Sequence, residues 1–339
     1  MSKVPMEVEN EIAHNGAIET ISDTIGDLVT GIPATIRKNL YKVLNRFVTA
    51  CGEYPVTLLE GAIAERRAES KARVELIKAT SDQISKQMMI KPEYVRAAAD
   101  KFSQKIIRKQ INIDQISAIA LDELKSQKHL LKDDEIEPSP ISDDWLNAFE
   151  SEATQMSSEQ MQKLFGKILA GEIQRPSSYS IKTVKLLAQL DNLAAILFTT
   201  LCSLSVSLRL GDHLIQDARV VSLGDASSNT LQSFGLGFDQ LNILQEYGLI
   251  IANYNSYMDY QFSIVRDGAA FLPMKYQNAD WALIPKEGIT IQQDLKITGV
   301  AFSKSGKELL SIVDVIPNNA YDLVLKNHFE NLGFSMLKI

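Results

Sequence analysis

Residues that could do chemistry are scattered along this 339-residue sequence, and their spacing matches no metal or nucleotide site. A zinc site needs closely spaced histidine or cysteine ligands. Each of the four histidines is isolated in sequence: His14, His129, His213 and His328. The phosphate-binding pattern GxxxxGK followed by Ser or Thr is absent, and Gly235 to Gly237 lacks a preceding strand and a third glycine. The sequence therefore predicts no cofactor and identifies no small-molecule substrate or catalytic residue. Enzymatic activity stays an open question, with a non-enzymatic role favoured.

Carboxylates that could work as an acid–base pair fall where solvation or helix capping explains them better. General acid–base catalysis needs one carboxyl group in an apolar pocket, but the adjacent Asp pairs at 133–134 and 143–144 lie in a polar stretch with two prolines. Glu172 ends a patterned helix, where it can bond Arg175 or the serines that start the next helix. We expect a structural role for Glu172.

Basic residues are the most uneven feature of the chain. Between Pro33 and Gln110 there are sixteen Lys or Arg residues and eight Asp or Glu residues, a local balance of +8 in a protein whose net charge is −7. The unpaired part of this excess is concentrated in two clusters. These candidate contacts for an anion or nucleic acid are Arg37, Lys38, Lys42 and Arg46, and then Arg96, Lys101, Lys105, Arg108 and Lys109.

Two interpretations of the basic clusters stay open. A basic helical arm could meet the phosphates of a nucleic acid or an anionic membrane surface. A solvated helix face of mixed sign explains the same composition, because acids and bases alternate at four-residue spacing between 60 and 78. If the fold places both clusters on one continuous face, binding is favoured; if it scatters them, the solvated face is favoured.

Apolar periodicity predicts long helices in the N-terminal part of the chain. Residues 1–32 are interpreted as a flexible N-terminus with a short amphipathic helix at 18–29, and 33–132 as a basic long-helix region. Within it, a helix of more than thirty residues is predicted over 56–88, and Pro92 opens another. The apolar stripe predicted for that last helix is Tyr94, Val95, Ala98, Phe102, Ile106 and Ile107. Residues 133–144 are predicted to be a linker.

A three-helix core is predicted over 145–210. In its best patterned helix, apolar residues between Met161 and Ile173 recur at steps of three and four, with Ser157 or Ser158 as the cap. The caps expected for the next two helices are Ser178 or Ser180, and Asp191. Turns this short predict that the three helices pack on one another.

The same segment carries a family resemblance. Leu164 to Glu172 reads leucine, any residue, glycine, any residue, isoleucine-leucine-alanine-glycine-glutamate. On this helix and its flanks, from Trp145 to Thr183, the chain resembles a bacterial family of uncharacterised proteins that share it. More distantly, it is similar to the helical core of the abortive infection protein alpha family, which is associated with defence against phage. The resemblance implies a bacterial, defence-linked protein, and it carries over no catalytic residues.

An α+β domain is predicted over 211–339, so the fold class is α+β with mainly helical N-terminal and central regions. A helix over 238–247, followed by a strand at 249–252 that pairs with another at 258–265, is typical of a winged helix. The predicted helix has no cation and Arg266 alone ends the wing, so a structural or protein-contact role is favoured over DNA binding.

The end of the chain has clear local signals. Ser303 and Ser305 can cap one helix, and Pro317 and Asn318 begin a last one that ends at Gly333. The final six residues, 334–339, are predicted to add a strand to the sheet.

Composition is that of a globular protein, with 45% hydrophobic and 23% charged residues. The two cysteines, Cys51 and Cys202, fit small buried apolar residues. The sequence has no apolar run long enough to span a bilayer and no apolar region of a signal peptide. We therefore expect a cytoplasmic protein, which can also be peripheral at the inner membrane.

Two hypotheses about function follow. The first is a non-enzymatic interaction or effector protein in bacterial anti-phage defence, which binds a protein partner or a second copy of itself. The second is a protein that binds nucleic acid or an anionic membrane surface through the basic helical region.

Overall fold

In the computed structural model, the chain divides into two compact units, Met1–Ser178 and Tyr179–Ile339, which we call the helical unit and the sheet unit. The structure describes residues 32–48, 91–127, 139–211, 214–223, 229–251, 253, 256–288 and 295–339. The helices predicted at 18–29 and 56–88, and the first half of the predicted linker, lie outside these residues.

The helical unit is built around one long helix. Its described helices are α1 (Ala34–Val48), α2 (Pro92–Ser126), α3 (Asp143–Ala153) and α4 (Glu159–Gln174). Pro92 opens the 35-residue α2, at a position where a missing N–H costs no intrahelical bond. The other three helices all pack on α2, and α4 packs on α1 as well.

The patterned helix α4 is placed by one cap and one glycine. The Ser158 hydroxyl accepts a hydrogen bond from the Met161 N–H, which confirms one of the two predicted caps. A Cβ added to Gly166 would lie 2.5 Å from Ile119 Cγ2 of α2. The glycine of the family pattern therefore lets the α2 and α4 backbones come close.

An aromatic cluster fills the core beside α3. The Phe149 ring, which is fully buried, lies 5.0 Å from the Trp145 ring, 5.8 Å from Phe47 and 5.5 Å from Phe165, centroid to centroid. Large apolar side chains from α1, α3 and α4 thus meet at one point, and burying them removes much apolar surface from water.

The sheet unit contains a seven-stranded sheet whose paired strands are all antiparallel. Its spatial order is β3-β8-β2-β1-β6-β7-β9, and a separate two-stranded ribbon pairs β4 with β5. The strands are β1 (Ser205–Leu210), β2 (Leu214–Val221), β3 (Tyr257–Asp259), β4 (Val265–Arg266), β5 (Ala269–Ala270), β6 (Met274–Tyr276), β7 (Ala279–Pro285), β8 (Lys296–Ala301) and β9 (Phe334–Lys338).

Five helices accompany the sheet: α5 (Ile181–Gln189), α6 (Asn192–Leu204), α7 (Phe238–Glu246), α8 (Lys304–Leu310) and α9 (Asn319–Asn331). Four of them are capped by side chains: Ser180, Asp191 and Ser303, which the sequence predicted as caps, and Asn318, which it predicted at the start of the last helix. As predicted, the last residues of the chain form an added strand, β9, which pairs with β7.

The structure corrects the predicted three-helix core. α4 packs on α1 and α2 of the helical unit, whereas α5 packs on α8 and α6 packs on α7. Short turns bring the ends of consecutive helices together. Which helices pack on one another, however, depends on where their apolar faces are buried, and here the packing helices are distant in sequence. Residues 205–210, which the sequence analysis included in the helical core, form the central strand β1 instead.

The predicted domain limits also differ from the division in the structure. The two units separate after Ser178, inside the predicted 145–210 core, and not at the predicted linker of 133–144. The end of that linker is part of the helical unit, because α3 begins at Asp143 and Ile141 is buried. Acidic and proline-rich composition therefore marks a connection between α2 and α3.

The winged-helix interpretation is not confirmed. α7 does form where its helix was predicted. However, β3 pairs with β8 rather than with 249–252, and Ile250 forms an isolated bridge with Phe302. The segments expected to pair with each other in a local wing therefore pair with β8 and with the residue that follows it, which lie about forty to fifty residues further along the chain. The α+β class itself is confirmed, with a mostly antiparallel sheet in the C-terminal region.

Candidate functional site

The N-terminal half of α2 carries a surface in which apolar and basic side chains are exposed together. Tyr94 is 71% exposed, Phe102 61% and Ile106 48%. Lys101, Lys105 and Arg108 are exposed as well. We call these six residues the exposed α2 face: Tyr94, Lys101, Phe102, Lys105, Ile106 and Arg108.

Helical spacing places the six side chains on one side of α2. Each residue turns the helix by about 100°, so Lys101, Lys105 and Arg108 form one row and Phe102 with Ile106 forms the adjacent row. Tyr94 lies along the same side, close in angle to Lys101. Of residues 93–111, Ser103 alone is buried. Water therefore reaches most of this half-helix.

The two acids of this half-helix lie opposite Phe102. Glu93 is nine positions and Asp100 two positions from Phe102, which corresponds to rotations of about 180° and 200°. The two carboxylates therefore lie away from the apolar row, and Lys101, Lys105 and Arg108 lie between the carboxylates and that row.

Basic residues of α1 that were predicted as candidate contacts form hydrogen bonds and ion pairs within the helical unit. The Arg37 guanidinium donates to the Ile32 carbonyl at 2.9 Å, and Lys42 Nζ donates to the Ile141 carbonyl at 2.7 Å. Lys42 also lies 2.8 Å from a carboxylate oxygen of Asp143. Hydrogen bonding and charge from Lys42 lower the pKa of Asp143 below its usual value.

Arg46 continues this set of contacts between α1 and α3. Its Nε lies 3.3 Å from Glu150 Oε2, and its Nη2 donates to Asn147 Oδ1. Lys38 also has an interaction of its own. The contacts of Arg37, Lys42 and Arg46 therefore help to hold the helical unit together.

The structure thus divides the nine predicted basic residues. Lys101, Lys105 and Arg108 share the exposed α2 face, and the half-buried Lys109 lies between the cation row and the apolar row, one residue beyond Arg108. Arg96 is exposed but lies five positions from Lys101, about 140° around the helix, and has an interaction elsewhere.

Sequence reasoning did not identify the apolar members of the exposed α2 face as a contact surface. Tyr94, Phe102 and Ile106 were predicted as part of the apolar stripe of this helix, and all three are exposed. Their spacing is that of a core-facing helix, so the pattern by itself could not separate core from contact surface. The usable signal was the row of cations directly beside the stripe, where a core-facing helix would be flanked more evenly.

The sheet unit contains one buried ionic network. Arg219 Nε and Nη2 donate to the two Asp217 carboxylate oxygens at 2.7 and 2.8 Å, and Nη1 donates to the Ser256 and Ile297 carbonyls at 2.9 Å each. Tyr260 donates to Asp217 at 2.9 Å. Burial, and then the Asp217 charge, raise the pKa of Tyr260 well above its usual value. These hydrogen bonds join β2, β8 and the segment around β3.

Two other carboxylates order turns. Glu172, 2% exposed, accepts a hydrogen bond from the Ser177 N–H at 2.6 Å, within a turn where Ser177 has a positive φ of 73°. The sequence predicted a contact of Glu172 with Arg175 or with the serines that start the next helix, and the structure shows a contact with the Ser177 N–H in the same turn. Glu308 of α8 accepts from the Ser180 N–H at 2.8 Å and from the Ser180 hydroxyl at 3.0 Å, a contact that the sequence did not predict.

The histidines and cysteines lie apart. Within the described ranges, no group of three His, Cys, Asp or Glu side chains is placed to hold a metal ion. Burial lowers the pKa of His328, and burial raises the pKa of the Cys202 thiol. His14, His129, His213 and Cys51 lie outside the described residues.

Among the helices that the structure describes, none is both long and apolar enough to serve as a transmembrane span.

Comparison with known proteins identifies a family. No curated protein and no solved structure gives a significant match to the chain. A family model described as a protein of unknown function (DUF2806) matches residues 96–326, which include most of α2, all of α4 and most of the sheet unit. Because the match spans well over half of its residues, the chain belongs to the DUF2806 family.

Proposed function

We propose that this protein is a non-enzymatic interaction protein of bacterial anti-phage defence and that it makes its contact through the exposed α2 face. The link to defence is supported by the resemblance of residues 145–183 to the abortive infection protein alpha family. On this proposal the protein works in the cytoplasm, where it binds a protein partner or a second copy of itself.

The proposed contact surface rests on one observation, the exposure of apolar side chains on α2. Tyr94, Phe102 and Ile106 are 48–71% exposed along one side of a regular helix. Clustered exposed apolar side chains rimmed by charge are typical of interaction sites. In contrast, the buried carboxylates and guanidinium groups described above hold turns, strands and helices together. Among the side chains that the structure describes, the exposed α2 face is thus the best candidate for contact with another molecule.

Phage plating tests this proposal. Expression of the wild-type protein in a sensitive host should lower plating of at least one phage in a broad panel. The double variant Phe102→Ser/Ile106→Ser should restore plating to the level of the empty vector, because its contact surface is gone. Phe271→Ser is the matched control, since Phe271 is an exposed aromatic residue of the sheet unit.

Two outcomes would contradict the proposal. In one, the wild-type protein changes plating of no phage in the panel. In the other, the α2 double variant protects as well as the wild type while circular dichroism shows an unchanged fold.

A second candidate function is binding to a polyanion or to an anionic surface. Lys101, Lys105 and Arg108 favour it, because they are exposed in a row and the acids of the same half-helix lie opposite Phe102. Such binding should weaken steeply as salt rises. Filter binding with nucleic acid and flotation with liposomes, both at low salt, test it. If neither probe binds, this second function is wrong.

A further inference from the structure

We propose that the exposed α2 face docks on an anionic lipid surface, with Phe102, Ile106 and Tyr94 inserted among the headgroups and Lys101, Lys105 and Arg108 against lipid phosphates. This inference deepens the second candidate function and rests on it.

Charge and apolar surface occur on the same side of α2. A helix that lies in a membrane interface buries its apolar side just below the headgroups and keeps Lys and Arg beside it at phosphate level. Phe102 and Ile106 provide the apolar row, and the row of cations runs next to it. Glu93 and Asp100 lie on the other side, where they would face water and not the anionic headgroups.

A nucleic acid fits the same surface less well. Phosphates could bind the three cations, and bases could stack on Tyr94 and Phe102. Ile106, however, has no planar ring for stacking, and a phosphate backbone would leave its 48% exposed side chain in water. A lipid interface accepts aromatic and aliphatic side chains alike, so it accounts for all six residues.

The size of the face predicts reversible adsorption. From Tyr94 to Arg108 the helix advances by about 21 Å, which is long enough to meet several headgroups. Each cation near an anionic leaflet should raise the partition coefficient about fivefold. Inserting one large apolar side chain should add about tenfold. With three residues of each kind, the protein should bind anionic vesicles at low salt and leave them as salt screens the charge.

Vesicle flotation with the full-length protein is the primary test. We expect binding to vesicles of phosphatidylglycerol and phosphatidylethanolamine, and none to phosphatidylcholine vesicles. Lys101→Glu/Lys105→Glu should weaken binding by at least about 25-fold. Lys125→Glu/Lys185→Glu, which changes two exposed lysines elsewhere by the same charge, should bind like the wild type.

A second pair of variants separates insertion from charge attraction. Phe102→Ser should weaken vesicle binding about tenfold, whereas Phe271→Ser should not. In Phe102→Trp, fluorescence should be quenched by lipids brominated along the acyl chain. Loss of binding in the lysine variant, without any effect of Phe102→Ser and without quenching, would overturn insertion. Binding to a single-stranded oligonucleotide that depends on these residues, without vesicle binding, would assign the face to nucleic acid instead.

Accessibility of the face gives an independent check. In a Cys51→Ser background, Ile106→Cys should react rapidly with a water-soluble maleimide in the free protein and slowly on anionic vesicles. If it is unreactive in the free protein, another segment of the chain or a second copy covers the face, and the lipid proposal is wrong. Phage plating and vesicle flotation of the wild-type protein separate this inference from the defence function. A wild-type protein that protects against phage but binds no anionic vesicles would refute lipid docking and leave the defence function standing, whereas vesicle binding without protection would do the reverse.

Discussion

The two halves of α2 share their helical structure and a similar apolar spacing, but they differ in the exposure of their apolar side chains. In the C-terminal half, Ile113, Ile116 and Leu124 are at most 2% exposed, and α4 lies against them. In the N-terminal half, the apolar residues with similar spacing, such as Phe102 and Ile106, are exposed. The comparison teaches that apolar periodicity marks the side of a helix that makes contacts, while the neighbouring elements decide whether those contacts are made within the fold.

The polar residues of the two halves follow the same division. In the C-terminal half, Asn112 donates to the Thr154 carbonyl at 2.9 Å, and Gln115 accepts from Gln162 at 2.8 Å. Short amides of this kind fix one register between helices, because a shift of either helix would leave a polar group unpaired. The N-terminal half has long cations instead, which can follow a partner whose surface is irregular or fluid.

The largest expected difference between the halves is the cost of removing an apolar side chain. Leu124→Ala should lower the free energy of unfolding by about 2–5 kcal/mol, because it leaves a cavity between helices. Phe102→Ala should change it by no more than about 0.5 kcal/mol, since that side chain is exposed. Urea unfolding followed by circular dichroism measures both. Equal losses would mean that the N-terminal half is packed in solution.

Gly166→Ala should be the next largest effect. The new methyl group would meet Ile119 Cγ2 at 2.5 Å, so α4 must move away from α2, at a cost of about 1–3 kcal/mol of unfolding free energy. This cost opposes the helix propensity of alanine, which would favour the variant by about 1 kcal/mol. In Ile119→Ala/Gly166→Ala the combined loss should be smaller than the sum of the single losses, because Cγ2 is absent. A Gly166→Ala protein more stable than the wild type would contradict close packing at this point.

A smaller effect is expected for the amide contacts. Asn112→Ala should lower the free energy of unfolding by about 1 kcal/mol, because the Thr154 carbonyl loses its donor. The matched change in the other half, Gln104→Ala, alters an exposed residue and should be nearly neutral. Chemical denaturation of the two variants side by side gives the comparison, and a neutral Asn112→Ala would show that this hydrogen bond adds nothing to the α2 register.

The smallest expected effect is on the pH dependence of stability, and it concerns the cations of α1, which contact acids within the fold, whereas Lys101, Lys105 and Arg108 of α2 are exposed. Lys42 lowers the pKa of Asp143 in the folded protein, so this contact stabilises the fold above about pH 4, the unfolded value, and is lost as the pH falls through the folded value. Asp143→Asn should therefore reduce the loss of stability on acidification. Asp144→Asn, the neighbouring exposed acid, should not. Urea midpoints across the acidic range provide the measurement, and identical curves for Asp143→Asn and the wild type would exclude a folding role for this pair.

Local signals in the sequence predicted the elements better than their partners. The Ser180 and Asp191 caps, the helix begun by Asn318 and the final strand are all present, because a cap or a turn acts over three or four residues. The strand β1 was missed because Ser205–Leu210 follows α6 without a break in apolar composition. The pairing of β3 with β8 was missed because about forty residues separate the two strands, and nothing local encodes such a contact.

The candidate site shows the same limit. The sequence by itself determined that α2 begins at Pro92, that it has an apolar stripe and that cations cluster along it, since composition and periodicity are properties of the chain. Only the tertiary structure decided that Lys42 and Arg46 contact the acids of α3 while Lys101, Lys105 and Arg108 stay exposed. A cation forms an ion pair within the fold only when packing brings a carboxylate within a few ångströms of it. That packing is determined by the burial of apolar surfaces that are far apart in sequence.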